Sequence, residues 1–208
     1  IGLYVNREIN AVGMDLSLED IQTARSRIKD FSIADTNNSS CVFGAGSIQC
    51  LPFTDNLYDA VICSEVLEHL ESLDTAVSEI VRVLKPGGVL AVSVPRYLPE
   101  LICWKLSSEY SKTPGGHVRI FKQKELKKLI QKESVCYQSF HWAHALHSPY
   151  WWLKCMFWQR EEEPWIVRKY HEFLVWDLMK SPLITRFLEM ALKPFIGKSL
   201  VMYFVKDK

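Results

Sequence analysis

Leu51-Pro52-Phe53-Thr54-Asp55-Asn56-Leu57-Tyr58-Asp59-Ala60-Val61-Ile62-Cys63-Ser64-Glu65-Val66-Leu67-Glu68-His69-Leu70 joins a polar turn, an apolar run and a cluster of two acids and a histidine. The run Leu57–Cys63 is short and bounded by polar residues, which is the pattern of a buried strand. Downstream, Leu73, Ala76, Val77, Ile80, Val81 and Leu84 recur at helical spacing. That helix must stop at Lys85-Pro86-Gly87-Gly88, where proline bars continuation and glycines permit a reversal. Val89–Val94 is a further apolar strand, closed by Pro95. Upstream, Cys41–Ala45 reads as a short strand closed by Gly44 and Gly46, and Ala11–Leu16 as a buried strand carrying Asp15. Between these two, Ser17-Leu18-Glu19-Asp20 offers a helix start: a hydroxyl for free amides, and acids at the positive end of the dipole. Leu18, Ile21, Ala24, Ile28 and Phe31 follow on one helical face, and Asp35–Ser40 reads as a loop.

The later chain predicts a helix over Phe121–Lys132, a strand over Val135–His141 and a last apolar strand over Ser199–Val205. Trp142–Gly197 lies between those strands, holds six of the seven tryptophans and reads as a helical insertion. Strand and helix alternate before it, which argues for a mostly parallel sheet covered on both faces.

With 208 residues the chain suits one domain, and a hydrophobic fraction of 48% suits a globular core. A formal net charge of +1 gives no global field to recruit nucleic acid, so no nucleic-acid partner is expected. The six cysteines form no Cys-x-x-Cys pair, and several sit in apolar runs. They read as reduced, buried thiols of a cytoplasmic protein. No apolar run approaches the ~20 residues that span a bilayer.

In a doubly wound sheet, ligands bind beyond the carboxyl ends of the strands. Asp15, the segment Gly46–Cys50 and the segment Cys63–His69 stand at such ends. An acid after a strand can accept two hydrogen bonds from a ribose diol, or simply cap the helix that follows. Glu65 and His69 are four residues apart, so a helical turn would set them on one face, while the plainer reading has Glu65 and Glu68 serving the helix start and His69 packing on the sheet. No metal ligand is assigned, and whether Glu65, Glu68 and His69 hold a divalent ion is open.

The block Leu51–Leu70, followed by Arg82-Val83-Leu84-Lys85-Pro86-Gly87-Gly88-Val89-Leu90, resembles the two central blocks of class I S-adenosylmethionine-dependent methyltransferases of the ubiquinone/menaquinone-biosynthesis type. Gly13-Met14-Asp15-Leu16-Ser17 resembles the end of that family's second strand, and Gly115-Gly116-His117-Val118-Arg119-Ile120-Phe121 a segment before its next helix. The resemblance covers about residues 1–135 and the final strand. It implies an α/β, Rossmann-like, doubly wound and mostly parallel sheet with an antiparallel final strand, and a single domain over 1–208 with an aromatic-rich insertion at about 142–197. It implies S-adenosyl-L-methionine as cofactor and a small-molecule methyl acceptor.

By the same resemblance Asp15 would hold the ribose hydroxyls, Leu16 would lie against the adenine, and Ser47 and Ile48 would stand near the adenine amino group. Ser47 replaces the family's usual acid. Cys63 would stand near the methionine end. Glu65, His69 and His117 become the candidate catalytic residues on the acceptor side, with Arg119 beside His117. The family's first strand and glycine-rich loop should precede Ile1–Asn10, so the sequence is expected to be a piece of a longer protein.

The insertion has three readings. Its rings could line a lid over an apolar acceptor, rest at a membrane interface as a peripheral contact, or pack into a small core of their own. The alternative to an enzyme is a non-catalytic methyltransferase-like module that binds a partner through this insertion.

Overall fold

The computed structural model describes residues 9–30, 40–113 and 115–208. Phe31, residues 35–39 of the loop and the segment before Ile9 lie outside the described residues. The chain divides into two compact units, Ile1–Thr54 and Asp55–Lys208.

In the first unit, β1 (Asn10–Asp15) and β2 (Ser40–Ala45) pair in parallel, from Asn10 against Ser40 to Asp15 against Ala45. Helix α1 (Leu18–Asp30) connects them. It starts where the sequence predicts, with the Asp20 amide donating to Ser17 Oγ at 3.1 Å. The expectation of a fully buried strand at Ala11–Leu16 is not met: Val12 is 43% exposed and Val42 on its partner 61%. A strand buried on both faces needs a covering layer on each side. Among the described residues, Ile21 is the one hydrophobic side chain of this unit that is fully buried.

The second unit contains β3 (Tyr58–Ser64), a single 3-10 turn (Leu67–His69), α2 (Asp74–Val83) and β4 (Leu84–Pro95). Next come α3 (Tyr97–Leu106), α4 (Ser108–Ser111), α5 (Gln123–Ile130) and β5 (Val135–Ala143). Helices α6 (His147–Met156), α7 (Trp165–Lys180) and α8 (Leu183–Ile196) lead to β6 (Ser199–Lys206). The sheet order is β3-β4-β6-β5, with β3 parallel to β4 and β6 antiparallel to both its neighbours. The expected mostly parallel α/β sheet with an antiparallel final strand is what forms.

Its core follows from alternation along two paired strands. Leu90, Val92 and Val94 of β4 stand opposite Phe204, Met202 and Leu200 of β6, and all six are buried. Helix α2 buries the stripe Ala76, Val77, Ile80 and Val81, and α5 buries Leu126 and Ile130. Lys206 Nζ reaches the C-terminal end of α2, donating to Val81 O at 2.7 Å and, at the first residue of β4, to Leu84 O at 2.8 Å.

The helix stop at Lys85–Gly88 is built as a bulge rather than a separate turn. Tyr58 pairs with Leu84, and the register then jumps to Ala60 against Val89. A Cβ on Gly88 would lie 2.8 Å from Lys85 O and 3.0 Å from Asp59 O, so only glycine lets β4 rejoin β3 here.

Helices α3 and α4 lie in a stretch to which the sequence reading assigns no element. The insertion is helical, as expected. Its three helices enclose a core of Leu146, Tyr150, Val167 and Leu174, with Tyr170 and Phe173 packed against it. All six cysteines are free; Cys63, Cys103 and Cys155 are buried, whereas Cys50 and Cys136 are exposed, contrary to the expectation of generally buried thiols.

Candidate active site

Because β3 and β4 run parallel, their carboxyl ends at Ser64 and Pro95 open on the same side of the sheet. Glu65, the first residue beyond β3, has φ 52, a left-handed conformation that side chains rarely adopt. Three bonds draw this corner back to β4. Glu65 N donates to Ser93 O at 3.0 Å, Ser93 Oγ donates to Glu65 Oε1 at 2.9 Å, and the Ser64 and Ser93 hydroxyls lie 3.0 Å apart.

Three residues on, Glu68 is 0% exposed, and neither carboxyl oxygen has a hydrogen-bond partner. Burial, together with the nearby Glu65 charge, pushes its pKa up to about 7, with its own backbone amide, then His117 and Lys198, offsetting part of the rise. His69 Nε2 stands 3.9 Å from Glu68 Oε1, and its ring centroid is 4.9 Å from that of His117. The other nitrogen of His69, Nδ1, lies 3.1 Å from Gly116 O.

His117 Nδ1 lies 2.6 Å from Glu100 Oε1, and Tyr110 Oη donates to the same oxygen at 3.0 Å. Glu100, on α3, is 2% exposed. Its burial raises the pKa, but the hydrogen bond and charge of His117, with Lys198 and Tyr110, outweigh that, and the net shift is downward. An ionised Glu100 can only accept, so His117 Nδ1 carries the proton and Nε2 faces away from Glu100.

The loop bearing His117 is laced to the turn bearing Glu68. Val118 N donates to Glu68 O at 2.9 Å, and Arg119 Nη2 donates to Leu70 O and Glu71 O at 2.5 and 2.8 Å. Arg119 thus commits Nη2 to carbonyls, while its buried Nε has no hydrogen-bond partner. Beside this cluster stands an aromatic wall: the Tyr110 ring lies 6.1 Å from His117, 6.0 Å from Trp151 and 5.1 Å from Trp158. Trp151 and Trp158 belong to the insertion.

The remaining sequence candidates are placed as follows. In the first unit Asp15 ends β1, and its Oδ1 accepts from Ser17 N at 2.8 Å, which leaves acceptor capacity on the carboxylate. Leu16 is 72% exposed, an apolar side chain left bare at a strand end. Ser47 and Ile48 follow β2, with Ser47 Oγ accepting from Gln49 N at 3.2 Å. The ends of β1 and β2 are joined by Gly46 N donating to Asp15 O at 3.0 Å. In the second unit Cys63 is buried within β3, and burial pushes its thiol up to about 12, so only backbone is available to a ligand there.

Glu100 and Tyr110 were missed from the sequence. The available signal was an acid inside the apolar run Leu98-Pro99-Glu100-Leu101-Ile102: a carboxylate in such a run needs a partner.

The methyltransferase-domain family model matches residues 3–92. Sterol 24-C-methyltransferase of Schizosaccharomyces pombe is 33% identical over 95 residues, which cover 46% of this chain and 23% of that protein. Demethylmenaquinone methyltransferase of Renibacterium salmoninarum is 33% identical over 90 residues, 43% of this chain and 34% of the relative. The chain thus matches about a quarter to a third of the length of these curated relatives. Among solved structures, an S-adenosylmethionine-dependent methyltransferase of Methanosarcina mazei shares the fold with a TM-score of 0.58 at 14% identity, covering 99% of this chain and 96% of that one. Residues 3–92 thus match a methyltransferase domain, and the chain shares the fold of the Methanosarcina mazei methyltransferase.

Proposed function

We propose that this chain is the body of an S-adenosylmethionine-dependent methyltransferase acting on a small apolar or aromatic acceptor. The residues at the ends of β1 and β2 fit the adenosine half of the cofactor. Asp15 has an oxygen to offer the ribose diol, Leu16 an exposed apolar face for adenine, and Ser47 and Ile48 follow the adjoining strand end. The cofactor supplies an electrophilic methyl group on a sulfonium.

The observation that carries the acceptor side is the buried pair His117–Glu100 beside Tyr110, Trp151 and Trp158. Glu100 positions the imidazole through its contact with Nδ1. Nε2 of His117 then takes the acceptor's proton, with the His69 ring beside it. The aromatic wall gives a flat acceptor a dry surface, which supports the lid reading of the insertion. Six free thiols support a reducing, cytoplasmic setting.

Titration calorimetry of the full-length protein with S-adenosylmethionine is the test. Binding is expected, and Asp15→Ala should weaken it by roughly tenfold, the loss of one hydrogen-bonded charged group. An unchanged affinity in Asp15→Ala removes the ribose assignment.

One observation favours the second reading, a binding module. Helices α7 and α8 leave Leu178, Leu183, Ile184, Phe187 and Phe195 more than half exposed. Such a face fits a partner or a lipid surface, and among the described residues no helix is long and apolar enough to cross a membrane. No heat with S-adenosylmethionine in a folded sample would leave the module as the surviving reading.

A further inference from the structure

We infer that Glu68, His69 and His117 form a binding site for one divalent transition-metal ion. This rests on the acceptor-side reading of the same cluster and adds the ion to it. The donor atoms of the three residues lie within 4.8 Å of one another. Ligands at ~2.1 Å from one ion stand ~3.0–3.4 Å apart, so the cluster closes onto an ion by small side-chain rotations.

Three features of the surroundings are those of a metal site. First, both Glu68 oxygens are orphaned in a fully buried position, where a carboxylate is costly unless a cation or donors compensate it. Second, each histidine has its far nitrogen engaged: Nδ1 of His69 at the Gly116 carbonyl, and Nδ1 of His117 at the Glu100 carboxylate. A ring N–H given to a carbonyl or carboxylate fixes the tautomer and turns the Nε2 lone pair outward, which is how metal-ligating histidines are held. Third, the two ligand-bearing segments are locked together by hydrogen bonds to backbone carbonyls, Val118 N to Glu68 O and the Arg119 side-chain Nη2 to Leu70 O and Glu71 O, so the donors are held in place without an ion.

The donor set differs from the cluster legible in the sequence. Glu65 turns to Ser93 and leaves the set, while His117 enters from a loop 48 residues beyond His69. Two imidazoles and one carboxylate suit zinc, cobalt, manganese or iron rather than calcium or magnesium, which prefer all-oxygen shells. With only three protein ligands the ion keeps open positions, where an acceptor oxygen would bind and lose its proton more readily. In that loaded form the ion replaces His117 Nε2 as the group that activates the acceptor.

The test uses full-length protein stripped with EDTA and titrated with Zn2+, Mn2+ and Co2+ in turn. One equivalent should bind, and Co2+ should develop visible bands of nitrogen and oxygen coordination. Glu68→Gln and His117→Ala should each abolish the Co2+ spectrum with the circular dichroism of the fold retained. Glu100→Gln, which leaves all three donors in place, should weaken Co2+ by roughly 10–100-fold, as losing an outer-shell partner does. Folded wild-type protein that takes up none of the three ions overturns the inference, and so does a Co2+ spectrum unchanged in both ligand variants. Binding of S-adenosylmethionine in EDTA, measured on the same samples, keeps the two readings apart. Cofactor without metal sinks the metal site alone, and metal without cofactor sinks the methyltransferase reading alone.

Discussion

Strands β1 and β4 are both apolar runs in the sequence, and both read there as buried strands, yet they end in different environments. β4 has hydrogen-bonded neighbours on both sides, β3 and β6, and its Leu90, Val92 and Val94 are buried against β6. β1 is paired with β2, and Val12 and Val42 stay substantially exposed. Side-chain type sets which segments become strands. Burial is decided by what covers them, and that depends on residues far away in the chain. A two-stranded pair with little covering is marginal by itself, whereas a four-stranded sheet with helices on it carries a core.

The largest test of this difference is a truncation in each unit. Phe204→Ala removes a fully buried ring from β6 and should cost about 3–5 kcal/mol in urea denaturation. Val12→Ala should cost under ~1 kcal/mol, because its side chain is already partly solvated. Equal costs would break the contrast between the two sheets.

Thiol chemistry sharpens the same contrast. Burial, then the charges of Glu68 and Glu65, push the Cys63 pKa up to about 12. A raised thiol pKa keeps the neutral form through the physiological range, so alkylation should be slow at pH 8 and accelerate about tenfold per pH unit up to the pKa. At pH 8 Cys63 should label roughly a thousandfold more slowly than free cysteine, while the exposed Cys50 of the first unit labels readily. Mass-spectrometric mapping of iodoacetamide adducts reads both sites in one sample. Rapid labelling of Cys63 would mean that β3 is open to solvent.

The sheet was legible because its signals are local: apolar runs, helical spacing, and a proline-glycine stop. Helix α3 was not, because its apolar residues surround the axis instead of forming one stripe, and Pro99 in the first turn reads as a breaker although it is tolerated there. The candidate site was half legible. Glu65, His69 and His117 could be picked out as residues beyond strand ends, but Glu100 acquires its meaning only through a contact with His117 across 17 positions of chain. Likewise the sequence could not say that Glu65 would turn away to Ser93 while Glu68, one helical turn on, would point into the cluster. That choice depends on the left-handed backbone at Glu65, which no side-chain pattern announces.

The smallest effect concerns polar ties that the second unit has beyond its apolar core. Arg96, at the end of β4, lies over the Trp142 ring at 4.2 Å and donates to Lys193 O and Pro194 O at 3.3 and 3.0 Å. Its own amide donates to Lys198 O at 2.7 Å. One residue thus joins the sheet, β5 and the last turn of α8, where a cation also faces the negative end of the helix dipole. Arg96→Ala should lower stability by about 1–2 kcal/mol, since the long carbonyl bonds and partial exposure temper the loss. Arg96→Lys should recover only part of that, because an ammonium has no planar face to lay on the indole and no second fork to span two carbonyls. Thermal unfolding followed by tryptophan fluorescence measures both variants. Equal stability of Arg96→Lys and the wild type would mean that charge at the helix end, not the stacked and forked geometry, holds the insertion to the sheet.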